Sequence, residues 1–155
     1  MDDKATVAPV LIFTCGNPSR GDDALGHAMH KLLQKSPLEQ VDLLTDFQLQ
    51  IEHTLDFKGR KYILFIDAGI CCEAPYELAE IRACRDDSFT THAMSPASVL
   101  AVYQQVFQCD PPSAFLLTIR GYEFGLGEDL SVTARNNLQK SHEFLLEQPP
   151  WSGLI

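Results

Sequence analysis

The sequence predicts an α/β three-layer sandwich, a mostly parallel twisted sheet with helices on both faces and one antiparallel edge strand. Two observations carry that expectation. Short apolar runs rich in β-branched and aromatic residues, without polar alternation, stand at 10–14, 62–66 and 115–119, as strands covered on both faces should. Segments with apolar residues at helical spacing separate them, and the order reads strand, helix, strand, helix, strand, strand, helix, strand, helix.

The first strand, 10–14, ends in the turn Gly16-Asn-Pro-Ser-Arg-Gly21. A helix follows, opened by Asp22 and Asp23, whose carboxylates suit a first turn with free amides. Leu25, Met29, Leu32 and Leu33 are its apolar stripe. Residues 41–44 read as a second strand and 49–57 as a short helix that offers Leu49, Leu55 and either Ile51 or His53 inward, until Gly59 breaks it. The third strand, 62–66, closes on Asp67, with the small residues Ala68 and Gly69 beyond. Residues 76–81 alternate moderately, as an edge strand does, and lead into a polar loop at 85–95 that contains His92. Ser95 as cap and Pro96 at the first helical position open a helix bearing Val99, Leu100, Val102, Tyr103 and Val106. A strand at 115–119, a glycine-bearing loop at 121–127 and a last helix at 132–146 behind Ser131 complete the order. The tail 148–155 is expected to be mobile or loosely docked, with Trp151 able to pack back on the body.

The 155 residues, 45% hydrophobic and 21% charged, suit one domain, 1–155, with a core of its own. Twelve Lys+Arg against twenty-one Asp+Glu leave a net charge of −9, which argues against partners bound through their phosphates. Nucleic acid and anionic membrane surfaces are thereby disfavoured, and the acidic surface reads as a means of staying soluble. The apolar stretches at 7–15 and 62–72 fall short of the about 20 residues a membrane span takes. Asp2 and Asp3 stand where a secretory leader needs positive charge. Cys15, Cys71, Cys72, Cys84 and Cys109 lack C-x-x-C spacing and read as reduced thiols, buried or half-buried, in a cytoplasmic protein.

In doubly wound sheets, ligands bind beyond the carboxyl ends of the strands. That rule singles out the loops with Asp22 and Asp23, with Asp67, and with His92. The turn 16–26 is no phosphate cradle, because it lacks G-x-G-x-x-G and a terminal Gly-Lys-Ser/Thr and places two carboxylates where the anion would lie. Carboxylates there suit a cation. Asp23, Asp67 and His92, if convergent, offer two hard oxygens and an imidazole, apt for zinc, nickel, manganese or iron with positions left open. Each residue also has an ordinary reading: helix cap, strand-end acceptor, solvated loop histidine. His27, His30, His53 and His142 are lesser ligand candidates. No Gly-x-Ser-x-Gly elbow supplies a hydrolase serine, Cys15 reads as packing, and Asp22 with Asp23 makes a poor dyad because neighbours at a helix start point apart.

Three pieces of the chain resemble the hydrogenase maturation endopeptidase family, which trims the C-terminal tail from the large subunit of nickel–iron hydrogenases. Cys15-Gly-Asn-Pro-Ser-Arg-Gly-Asp-Asp-Ala-Leu-Gly26 is similar to its first signature, Phe65-Ile-Asp-Ala68 to its second, and His92 with Val99 and Leu100 to its third. Asp46-Phe-Gln-Leu-Gln50 departs from the family's Asp-Gly-Gly-Thr-like turn, which removes any role carried by those glycines. Gln48, Glu52 and the segment Ile119-Arg-Gly-Tyr-Glu-Phe-Gly-Leu-Gly-Glu128 resemble the branch serving soluble NAD-reducing hydrogenases.

The resemblance implies a peptidase, the same α/β sandwich, and Asp23, Asp67 and His92 as the catalytic, metal-contacting positions. The metal it implies is nickel, already inserted in the precursor, with no organic cofactor. The partner is the large-subunit precursor, met by a cytoplasmic monomer. Water would be activated either by the metal or by a carboxylate such as Asp22 or Asp23. A nickel-sensing chaperone that binds the precursor without cutting it shares every ligand, and a flavodoxin-like small-molecule binder rests on fold analogy alone.

Overall fold

A computed structural model describes residues 6–85 and 94–155. Five strands, β1 (Val10–Cys15), β2 (Val41–Asp46), β3 (Tyr62–Gly69), β4 (Tyr76–Ile81) and β5 (Ser113–Arg120), form one sheet in the order β2-β1-β3-β5-β4. β1 pairs in parallel with β2 and β3, and β3 with β5, whereas β4 closes the edge antiparallel to β5. The expected mostly parallel sheet with one antiparallel edge is therefore found.

Side chains alternate across this sheet with period two, and both faces are covered. On one face Val10, Ile12, Tyr62, Leu64, Ile66, Leu117 and Ile119 meet helix α1 (Leu25–Lys35) through Leu25, Met29 and Leu33, and helix α3 (Val132–Glu147) through Ala134, Leu138 and Leu145. On the other, Leu11, Phe13, Ile63, Phe65 and Ala114 meet Val99, Leu100 and Tyr103 of helix α2 (Pro96–Phe107), with Leu49 and Phe57 from the β2–β3 connection. Each fully buried Leu or Phe contributes roughly 1.5–3 kcal/mol, so this double burial fixes the layers. The caps read from the sequence are present: the Ser95 hydroxyl accepts from the Ser98 amide at 3.1 Å, and that of Ser131 from the Ala134 amide at 3.2 Å.

Two expectations need correction. The 49–57 segment is a 3-10 helix, Ile51–Phe57, that buries Thr54 and Phe57 and leaves Ile51 and Leu55 exposed. At three residues per turn Thr54 and Phe57 share a face, so helical spacing of 3.6 misplaced Ile51 and Leu55, whereas Leu49 is buried as expected. Three of the cysteines, Cys71, Cys84 and Cys109, are exposed, and only Cys15 and Cys72 are buried. In the tail, Trp151 packs back on the body as expected, 4% exposed with its ring 5.9 Å from that of Tyr62, while residues 152–155 are exposed.

The chain leaves β1 toward β2 on one side and returns past β1 to β3 on the other. Loops after β1 and β3 therefore diverge, and a crevice opens between the carboxyl ends of those two strands. Among the described residues no helix is long and apolar enough to cross a membrane.

Candidate functional site

Two of the candidate carboxylates reach this crevice by different routes. Asp67 is carried there by β3 itself, and its Oδ1 accepts the Ala68 amide at 2.8 Å. Asp23 arrives on a 3-10 turn, Gly21–Ala24, folded back over the end of β1, and its Oδ2 accepts the Asn17 amide at 2.8 Å. Gly16 makes that fold possible: its φ is +139°, and a Cβ there would lie 2.1 Å from the Asp23 carbonyl oxygen. Each carboxylate thus spends one oxygen on a backbone amide, which orients it, and its other oxygen makes no hydrogen bond among the described residues.

Burial pushes the Asp67 carboxyl up to about 6, the Ala68 amide opposing the rise and the Asp23 charge adding to it. The two acids are within Coulombic reach of each other. A cation or a proton relieves their repulsion, which is the chemistry expected of the pair. Asp67 also faces a cavity of about 100 Å³ lined by Cys15, Gln48, Leu49, Met94 and Pro96 among others. Burial raises the Cys15 thiol, and Asp67, Asp46 and Asp23 raise it further, so it stays protonated and packs as a small hydrophobe.

Asp46, the last residue of β2, is a third carboxylate at this end of the sheet, and the sequence reading gave it no role in the site. Its Oδ1 accepts the Phe47 amide at 2.7 Å, and its Oδ2 lies 3.1 Å from His53 Nε2. The Gln50 amide donates to His53 Nδ1 at 2.8 Å, so Nε2 carries the proton and donates to Asp46. His53 also sets its ring edge-on to Phe13, 4.6 Å between centroids. It is a support for Asp46 and for the 3-10 helix it caps, with both nitrogens engaged. One signal was available: Asp46, like Asp67, follows closely on an apolar strand run.

Asp22 is a structural acid. It is 0% exposed and accepts four hydrogen bonds, from the amides of Tyr122, Glu123 and Ser131 and from the Ser131 hydroxyl. Burial alone would raise its carboxyl, but those bonds outweigh it and hold the group below its usual range. Both oxygens are turned to donors of the 122–131 segment and the group is buried, an arrangement that suits a structural tie rather than the activation of water.

His27 lines a groove beside α1, and His30 is buried within the α1 layer with its Nδ1 unpartnered among the described residues. His142 belongs to α3, and its Nε2 is likewise buried without a partner among the described residues. His92 lies outside the described residues. Among those described, no three His, Cys, Asp or Glu side chains form a group able to hold a metal ion.

No protein-family model matches the sequence, and no curated protein does. Solved structures do. A NiFe hydrogenase maturation protease HycI from Thermococcus kodakarensis KOD1 superposes with a TM-score of 0.73 at 18% identity, covering 92% of this chain and 93% of that one. The hydrogenase maturating endopeptidase HybD from E. coli gives 0.71 at 20% identity, with 93% of each chain covered. A hydrogenase 2 maturation peptidase from Thaumarchaeota archaeon SCGC_AB-539-E09 gives 0.64 at 18%, covering 89% of this chain and 95% of that one. At these identities the likeness is one of fold, and it spans nearly all of each chain.

Proposed function

We propose that this chain is an endopeptidase that removes the C-terminal peptide of a nickel–iron hydrogenase large-subunit precursor after nickel insertion, with the inserted nickel as its recognition element. The observation that carries this reading is the pair Asp23 and Asp67, each anchored by one oxygen to a backbone amide and in Coulombic reach across the crevice. Two independent lines support it. The motifs around Asp23, Asp67 and His92 come in the order of the maturation endopeptidases, and the fold is that of solved structures bearing that name.

The nickel is part of the substrate. Two carboxylate oxygens, with His92 as the third donor by resemblance, suit a divalent ion of this kind and leave positions for the groups that already hold it in the precursor. Met94, two positions after His92 in the chain, lines the cavity that Asp67 faces. Capture of the metal would fix the neighbouring peptide bond against the crevice, which is catalysis by orientation. Asp67, whose carboxyl burial and the Asp23 charge push up to about 6, is suited to exchange a proton for a cation near neutral pH. By the same resemblance, Gln48, Glu52 and the segment 119–128 favour a precursor of the NAD-reducing type, and the reading takes the protein as a cytoplasmic monomer.

The test is incubation of the purified protein with nickel-loaded and nickel-free precursor, followed by intact mass. Loss of a C-terminal peptide from the loaded form alone is the expected result, abolished in Asp67→Asn and His92→Ala. Binding of loaded precursor at full mass would instead make the protein a nickel-sensing chaperone. Cleavage at the normal rate by either variant would overturn the site assignment.

A further inference from the structure

The cavity that Asp67 faces, of about 100 Å³, is walled by side chains from separate parts of the chain. Cys15 ends β1, Leu49 precedes the 3-10 helix, Phe65 and Asp67 belong to β3, and Leu116 lies on β5. Cys15, Leu49 and Phe65 are buried, and the thiol, held protonated, adds to an apolar inner wall. Phe47 lines the same cavity yet is 63% exposed, so its ring stands at the mouth. An apolar wall that runs from the core out to an exposed aromatic ring favours an apolar occupant, which takes that surface out of water.

Size limits the occupant. Benzene is held by an apolar cavity of roughly 150 Å³, so this smaller one excludes aromatic rings and the long stems of lysine and arginine and suits a branched aliphatic group. A whole cofactor is excluded as well, since pockets that enclose one run to roughly 300–1,000 Å³. Charge limits it further. Asp67, Asp46 and Asp23 all raise the Cys15 thiol in the wall, so three carboxylates bear on this space and repel an anionic side chain.

We propose that this cavity is a specificity subsite, which takes one branched aliphatic side chain, of valine or isoleucine size, from a peptide lying across the crevice. Insertion of that side chain sets the peptide's own backbone beside Asp67, with Phe47 packed on it at the mouth. Only the identity of the peptide rests on the peptidase reading: under it, the inserted residue flanks the cut. The carboxylate pair then reads the metal and the cavity reads the residue beside the bond, two anchors that together place one peptide link.

The experiment titrates the full chain, by NMR of its amides and methyl groups, with acetyl-Gly-Val-Gly-amide and with its Phe, Asp and Lys counterparts. Expected are saturable shifts at Cys15, Leu49 and Leu116 with the Val peptide, and binding at least about tenfold weaker for the other three. Leu116→Phe fills the cavity from β5 and should weaken the Val peptide about tenfold while the melting temperature is kept or raised. If that variant does not fold, the four peptides on the wild-type protein decide alone. No saturable shift with the Val peptide, equal or tighter binding of any of the other three, or shifts confined to other surfaces would overturn the proposal. With nickel-loaded precursor, Val, Phe and Asp placed in turn at each residue flanking the cut should reveal one position where Val raises kcat/KM at least about tenfold over the others. Indifference at both positions would overturn the placement beside the cut. Should the wild-type protein cut no precursor at all, the peptidase reading falls and the peptide titration still decides the cavity.

Discussion

Asp22 and Ser131, 109 positions apart in the chain, are joined twice: the Ser131 amide donates to Asp22 Oδ1 at 2.7 Å and its hydroxyl to Oδ2 at 2.8 Å. The same hydroxyl oxygen accepts the Ala134 amide, so one serine caps α3 while it ties the helix to the turn after β1. That turn carries Asp23. The position of the candidate ligand is thereby set from the far end of the sequence.

Asp22→Asn should cost roughly 3 kcal/mol in urea denaturation at pH 7, because an amide offers one acceptor oxygen where the carboxylate offers two, and turns N–H groups toward donors. The sign of its pH dependence follows from the depressed carboxyl of Asp22. The wild-type advantage is fully present above the unfolded value near about pH 4 and is lost as the pH falls through the folded value, so the two stability curves converge in acid.

Asp67→Asn should do the opposite while abolishing tail removal. Between about pH 4, where an unfolded aspartate titrates, and about 6, where Asp67 does, the folded protein binds the extra proton, so rising pH through that window destabilises the wild type. The variant escapes this and should be more stable above pH 6 by up to about 2 kcal/mol, with the gain vanishing in acid. A fall in stability at pH 8 would contradict the electrostatic account of the pair.

Gly16→Ala tests the close approach of the Asp23 backbone. A methyl group 2.1 Å from the Asp23 carbonyl oxygen, at a φ of +139°, forces the 3-10 turn away from β1. Destabilisation of roughly 2–4 kcal/mol is expected, together with loss of tail removal, as read by thermal melting and by product mass.

Trp151→Ala should cost roughly 3–5 kcal/mol, the usual penalty for emptying an aromatic site in a core. Circular dichroism is the suitable probe, since the variant loses the chain's one tryptophan. A loss under about 1 kcal/mol would mean the tail is dispensable.

Legibility in the sequence followed how local the governing physics was. The runs at β1, β3 and β5 are apolar without alternation because both faces of the sheet are covered, and that requirement is written in consecutive residues. Ser95, Pro96 and Ser131 announced their helices for the same reason: a cap is satisfied within three residues. Asp67 was legible as a strand-end acid, and Asp23 as one of two.

The sequence reading took Asp23 as the ligand, and the resemblance placed the family's metal-contacting position on that second acid, but local chemistry gives no reason for the choice. Asp22 and Asp23 are chemically identical and adjacent, and only the packing of the 121–131 segment against the turn turns one inward to four donors and the other toward Asp67. The inward face of 51–57 was misread because the choice between 3.0 and 3.6 residues per turn is made by what the segment packs against. The pairing of Asp46 with His53, and the cavity that gathers Leu49 with Leu116 beside Asp67, depend likewise on elements brought together by the fold. The sequence by itself determined the layers and the loops where chemistry gathers, since hydrophobic periodicity and capping act over a few residues. Tertiary structure alone decided which carboxylate oxygens are spent and which remain free, because a hydrogen-bond donor 109 positions away leaves no mark on its acceptor's neighbours.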